Sequence, residues 1–414
     1  MKKSLLKETI IISLILFIIV SKQIRFIPSF QFLWNFPYVC MGLIMVLGLI
    51  LLLNKRKYNY LDIIIIVFNL FLFIASIIRS DTIMYISIYI LPISGYYMFR
   101  TQLANKLDIF KLLFACTYLV SSFVILEFVT ENFSSFKIFD YENASIENIK
   151  QGSVYGGNRY DKKYNPIVNI LLSQKRLFER PLGASMSVQG SAALIAGLGL
   201  FVLTFIKNNR KRYYAINKYY KSALLLTIVS LVMTMSGTGL FIFIIGAQLI
   251  LFDNRYRFIG ILLLPISIYL VLLIRGYQNL MIWLWKYILF LFYKFTNYVE
   301  NNIFSWEIYF GTGPELQLDI DYLSFPSKIG FIGIGLFILL LIKVKSYNSK
   351  LISLSKDHKS LMAIIISILV ANFHYDSIFR FPMSFIFFMI IGYISNKIYI
   401  SGSRKYNLFN RVRP

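Results

Sequence analysis

Three carboxylates, Glu315, Asp319 and Asp321, fall within seven residues of a glycine-marked stretch that begins at Phe310 and reads FGTGPELQLDIDYLSFPSKIGFIGIG. From Pro326 to Ile342 the chain is almost wholly apolar, so these acids stand where a lipid-soluble helix would meet water. In an extended segment Asp319 and Asp321 share a face. A carboxylate so placed can take the proton of a sugar hydroxyl or orient that hydroxyl. A loop that is merely solvated has the same composition.

Cations accompany the acids. The stretch 130–184 starts acidic and turns basic, with Arg176 and Arg180 in its last part, and ends LFERPLGASMSVQGSAA. Arg180, beside Pro181, stands about one turn ahead of an apolar run. An arginine there can fork two hydrogen bonds onto a phosphate, and the positive end of the helix dipole adds to the field. An interfacial arginine whose head snorkels to water gives the same pattern. Arg275 follows another apolar run and opens the second long polar stretch. His374, Asp376 and Arg380 share the short turn between the last two apolar runs, whereas the other histidine, His358, lies in a basic segment. Beside an acid and an arginine, His374 is either a structural hydrogen-bonder or a proton carrier. Metal-ligand spacing, P-loop and dinucleotide glycine patterns are all lacking, which argues against a nucleotide-driven pump and leads us to expect no metal and no cofactor.

The elements that must position these residues are read from hydropathy. Hydrophobic residues make up 57% of the 414, and the mean hydropathy is +0.66. Apolar runs recur at 9–21, 36–53, 61–78, 82–99, 110–129, 185–206, 222–235, 238–252, 258–274, 326–342, 360–375 and 381–396. Most approach the length that crosses a hydrocarbon core of ~30 Å. The expectation is one all-α polytopic integral membrane domain over residues 1–414 with about 12 transmembrane helices. Lys2, Lys3 and Lys7 precede a first run that has no small-residue cleavage site, so it reads as a start-transfer helix that stays. Cys40 and Cys116 both lie inside predicted spans, which leaves no disulfide framework.

A net charge of +24 would suit a nucleic-acid binder, but its distribution points to a membrane instead. If the spans alternate sides, one face holds 27 of the 43 Lys and Arg, in short segments that include both termini. Short basic loops face the cytoplasm and long loops are exempt. Both termini are therefore expected inside, with the tail 397–414 basic, and the loops 130–184 and 275–326 outside. Leu280–Phe295 is apolar enough to pass for a further span, but Lys286 at its middle would cost about 2.5–3.5 kcal/mol on insertion. We expect an aromatic helix lying on the outer membrane surface. Pro37, Pro181, Pro326 and Pro382 fall at or near starts of helices running inwards, where a missing N–H costs nothing. The Ser236-Gly237-Thr238-Gly239 turn splits the run 222–252, either as a bare turn or as a place where backbone approaches a ligand.

The order of these features resembles a known family. Arg180-Pro-x-Gly183 opening a span, the Ser-Gly-Thr-Gly turn, Gly311-x-Gly313, Asp321-Tyr322-Leu323 and then Lys328-Ile-Gly330-Phe-Ile-Gly333 are similar to the Wzy-type polymerases of O-antigen and capsular polysaccharide, whose architecture the O-antigen ligases share. The likeness covers about residues 175–395. It implies a metal-independent, inverting glycosyltransferase in the bacterial cytoplasmic membrane. Such an enzyme moves a growing glycan from undecaprenyl pyrophosphate to the non-reducing end of another lipid-linked repeat unit, on the outer face. The implied partners are undecaprenyl-pyrophosphate-linked oligosaccharide, the lipid bilayer and a chain-length regulator, with no nucleic acid.

On that resemblance Arg176, Arg180, Arg275 and Arg380 hold the pyrophosphate, with Glu315 and Tyr322 also binding substrate. Asp319, Asp321 and His374 then activate the acceptor hydroxyl. The ligases carry a His-Asn pair where this chain has Asp319-Ile-Asp321, which favours a polymerase. Many relatives have an arginine at the Ser-Gly-Thr-Gly turn; if this site is built alike, another basic residue must serve here. The rival readings are a ligase to lipid A-core and a flippase of lipid-linked oligosaccharide. A flippase should line a central cavity with charges inside its spans, whereas these spans read as almost free of them.

Overall fold

Apolar runs with no water to bond to close their hydrogen bonds within themselves, which makes helices of them. The structure, a computed structural model, describes residues 2–24, 27, 35–54, 58–79, 82–101, 107–134, 181–185, 187–209, 217–234, 236–251, 280–311, 321–373, 378–379 and 381–410. Among them every regular element is helical. In chain order these are α1 (Lys2–Ile24), α2 (Phe36–Leu53), α3 (Tyr60–Ile78), α4 (Thr82–Tyr85), α5 (Ser94–Arg100), α6 (Ile109–Phe133) and α7 (Val188–Asn209). Then follow α8 (Asn217–Thr234), α9 (Gly237–Leu251), α10 (Leu280–Asn302), α11 (Trp306–Phe310), α12 (Phe325–Leu354), α13 (His358–Ala371) and α14 (Met383–Asn410). Six helical stretches among the described residues are long and apolar enough to cross a membrane: α2, α3, α6, α7, Tyr322–Leu354 and Met383–Ile400. The chain is an α-helical, polytopic membrane protein.

Eleven of the twelve predicted runs fall on helices; 258–274 lies outside the described residues. Two helices depart from expectation for identifiable reasons. The run 82–99 is broken into α4, a π turn at Ile86–Ile90, a 310 turn at Leu91–Ile93 and α5. Pro92 has no N–H to give and its ring collides with the carbonyl one turn back, so the regular ladder cannot pass it. The helix expected over 326–342 instead runs to Leu354 and is interrupted at Gly330, whose φ of 66° and ψ of 168° are not helical. The basic segment after Ile342 continues the helix because lysine, leucine and serine give it no reason to stop.

Close approach by small residues holds the bundle together. On α7, Gly197 faces Ser367 of α13, Gly199 faces Thr227 of α8 and Phe243 of α9, and Ala192 is met by Gly239 of α9. α5 and α14 cross as tightly, with Gly95 against the Phe385 carbonyl and Gly392 against the Tyr96 backbone. Without a water-driven hydrophobic force between helices, such small-residue contacts are what packing in lipid can use.

Polar contacts sort the bundle into two ends. One end holds Asp62 at the start of α3, Arg100 at the end of α5 and Ser395 on α14, with Phe110 of α6 and His358 of α13 both against Tyr393 of α14. The other holds the ends of α1, α3 and α6 together with the starts of α7 and α12. Arg79, just past the end of α3, stands seventeen positions after Asp62, about 26 Å along the helix at ~1.5 Å per residue.

Candidate functional site

The second end is where the sequence motifs converge. Gly311 closes α11 in the left-handed region (φ 74°), which only glycine enters without cost. Its backbone lies against Gly330, so a Cβ on Gly311 would sit 2.6 Å from the Gly330 nitrogen, and one on Gly330 would run into the Tyr309 carbonyl. The end of α3 fastens this junction. The Nη1 of Arg79 donates to the Gly311 carbonyl at 2.7 Å, and its guanidinium lies 4.9 Å over the Tyr85 ring. The Tyr85 hydroxyl in turn donates to the Lys328 carbonyl at 3.3 Å, while Phe71 stacks on Phe310. The residues on both sides of 312–320 are therefore anchored at one place, and that segment itself lies outside the described residues.

Tyr322 follows in a single 310 turn, Asp321–Ser324. Its hydroxyl donates to the Leu369 carbonyl of α13 at 2.5 Å, and its ring packs on Phe325 and Phe373. That bond ties the start of α12 to the end of α13, and a substrate contact through Tyr322 would use the ring face or a lone pair of the same oxygen.

Glu127 organises a third motif. It is 1% exposed, in the last third of α6. Its Oε1 accepts the Leu182 N–H at 2.7 Å; its Oε2 accepts the Gly183 N–H at 3.0 Å and the Gln23 side-chain amide at 2.6 Å. On the opposite edge of this turn the Ser191 hydroxyl of α7 donates to the Leu182 carbonyl and accepts the Ser185 N–H at 3.2 Å. Gly183 is left-handed (φ 62°), and a Cβ there would meet Ser191. Ser367 of α13 packs on Gly197 of α7, two residues before the carbonyl that Tyr322 holds, so α13 contacts both α7 and the Tyr322 turn.

Of the predicted site residues, Arg176, Arg180, Arg275, Glu315, Asp319, His374 and Arg380 lie outside the described residues, and Asp321 is described in its backbone alone. Their flanks are placed. Pro181, next to Arg180, and the Asp321–Ser324 turn sit at the same end of the bundle. Gly239 of the Ser-Gly-Thr-Gly turn is pressed on Ala192, 2.5 Å from Cβ to Cβ if it had one, so there the glycine serves helix packing. Among the described residues no three of His, Cys, Asp and Glu gather as a metal site.

The spans are less free of charge than the sequence suggested. At the opposite end Asp62 and Arg100, both with fully buried side chains, share two hydrogen bonds of 2.6 Å. The Asp62 carboxylate also takes the Tyr96 hydroxyl at 2.6 Å and the Asn59 N–H at 2.8 Å, and Arg100 lies over Tyr399. Sequence reasoning missed Glu127, Arg79, Asp62 and Arg100. The signal for Asp62 and Glu127 was there: a lone acid inside an apolar run is costly unless it has donors to meet. Set against known protein families, curated proteins and solved structures, the chain finds no match.

Proposed function

We propose that the protein polymerises undecaprenyl-pyrophosphate-linked oligosaccharide repeat units of an O-antigen or capsular polysaccharide. On this reading about twelve spans cross the cytoplasmic membrane, both termini are inside, and loops 130–184 and 275–326 lie outside. The observation that carries it concerns three glycines. Gly183, Gly311 and Gly330 are the positive-φ glycines among the described residues, each belongs to a motif of the resemblance, and all three sit at one end of the bundle. Residues spread over nearly 150 positions of sequence thus share one end of the bundle, as holding one substrate would require.

In the proposed reaction Arg180, with Arg176, Arg275 and Arg380, pairs the diphosphate as it leaves. Asp319 or Asp321, with His374, takes the proton from the incoming hydroxyl, and Glu315 and Tyr322 contact the sugar. The chain's electrostatic task is to offset charge that develops on the leaving group, which preorganised cations do well in a dry site. On the resemblance no metal takes part, and the arginines alone pair the charge of the leaving diphosphate. Against a flippase stands the engagement of the buried acids: protein donors occupy Asp62 and Glu127, as expected of packing.

The test is purified protein in lipid nanodiscs, supplied with undecaprenyl-pyrophosphate-linked repeat units and lipid A-core as the rival acceptor, and no other enzyme. A ladder of lipid-linked oligomers supports the polymerase. Repeat units that stay single, or that move to lipid A-core without oligomerising, overturn it.

A further inference from the structure

We infer that Glu127 is a positioning residue for the diphosphate-binding segment that opens α7; this rests on the function proposed above. A carboxylate in an apolar helix has only acceptors to offer, and among the described residues three donors meet this one: two successive backbone N–H groups and the Gln23 amide. The two N–H groups belong to Leu182 and Gly183, directly after Arg180-Pro181. Pro181 fixes its own φ, Gly183 is left-handed, and the Leu182 carbonyl is held from the other side by Ser191. The chain therefore leaves Arg180 into a turn whose donors and acceptors are bound on both edges. Glu127 itself is buried, so it acts through the turn that it holds, Leu182 and Gly183, which begins two residues after Arg180 in sequence.

The arrangement makes glutamine a poor substitute. A side-chain amide keeps one acceptor and adds two donors, so at least one of the N–H groups of Leu182, Gly183 or Gln23 would face another donor. Bonds to an ionised acceptor are the stronger kind, and losing one that is buried leaves its donor unsatisfied.

The experiment uses full-length protein in nanodiscs and undecaprenyl pyrophosphate as the probe, with equilibrium binding measured for wild type, Glu127→Gln, Arg180→Ala and the double variant. Glu127→Gln should weaken binding about tenfold or more. The double variant should bind no worse than Arg180→Ala alone, because the carboxylate works through that arginine. Losses that multiply in the double variant, or an unchanged affinity in Glu127→Gln, overturn the inference while leaving the polymerase reading intact. If Glu127→Gln does not fold, Ser191→Ala loosens the other edge of the same turn and should weaken binding in the same direction, and unchanged binding there overturns the inference too. A wild type that does not bind the probe overturns the polymerase reading and this inference with it.

Discussion

The Arg79 guanidinium bonds the Gly311 carbonyl across 232 residues of sequence and so fixes the N-terminal flank of the acidic segment to the end of α3. Lysine could match the charge but not the planar fork that both donates to that carbonyl and lies on Tyr85. Arg79→Lys should therefore lower the rate of chain growth about tenfold while leaving protein abundance within twofold. In vitro polymerisation rates and quantitative blotting check both halves.

Gly330→Ala should destabilise the protein far more than Gly335→Ala. The first puts a side chain at φ 66° and into the Tyr309 carbonyl, whereas nothing lies within 4 Å of a Cβ at Gly335. Alanine in place of a helical glycine gains up to about 1 kcal/mol, so Gly335→Ala should be neutral or slightly stabilising. Thermal unfolding in detergent reads the difference as opposite shifts in Tm.

Removing one partner of the Asp62–Arg100 pair leaves a buried charge uncompensated, at a cost of about 3–5 kcal/mol. Asp62→Leu and Arg100→Leu should each reduce the folded fraction recovered from membranes. The double variant should lose less than the two single losses combined. Size-exclusion profiles of a fluorescent fusion report all three.

Arg180→Ala should leave insertion intact and yield single-repeat glycans in place of a ladder on a polysaccharide gel. Asp321→Asn should slow chain growth more than it lowers abundance. A normal ladder in the first variant, or an unchanged rate in the second, removes that residue from the site.

Epitopes at 150 and 300 should be reachable from outside intact cells, and one at 350 should not. Reactivity of 350 from outside would reverse the proposed sidedness.

Much of the helix pattern could be read from the sequence, because an apolar run in lipid has few conformations open to it. What escaped was where runs break and what the breaks touch. The run 82–99 reads as unbroken across Pro92, and the π and 310 turns around that residue depend on what packs there. Gly330 stood in a motif of the resemblance, but its left-handed φ and its contact with Gly311, nineteen positions away, could not be read from the letters. Glu127 and Asp62 were visible as letters, but their donors come from as far away as Gln23 and Ser395. Hydropathy averages over single acids, so it hides the residues that lipid makes most dependent on a partner.

α14 brings Ser395 to the carboxylate of Asp62 and Tyr399 to the guanidinium of Arg100, and it seats Gly392 on the Tyr96 backbone. During synthesis, then, α3 and α5 enter the bilayer some 290 residues before their last neighbour is made. Until α14 leaves the ribosome, that corner must be shielded by lipid, by a chaperone or by the insertion machinery, and a truncation before Met383 would leave it open for good.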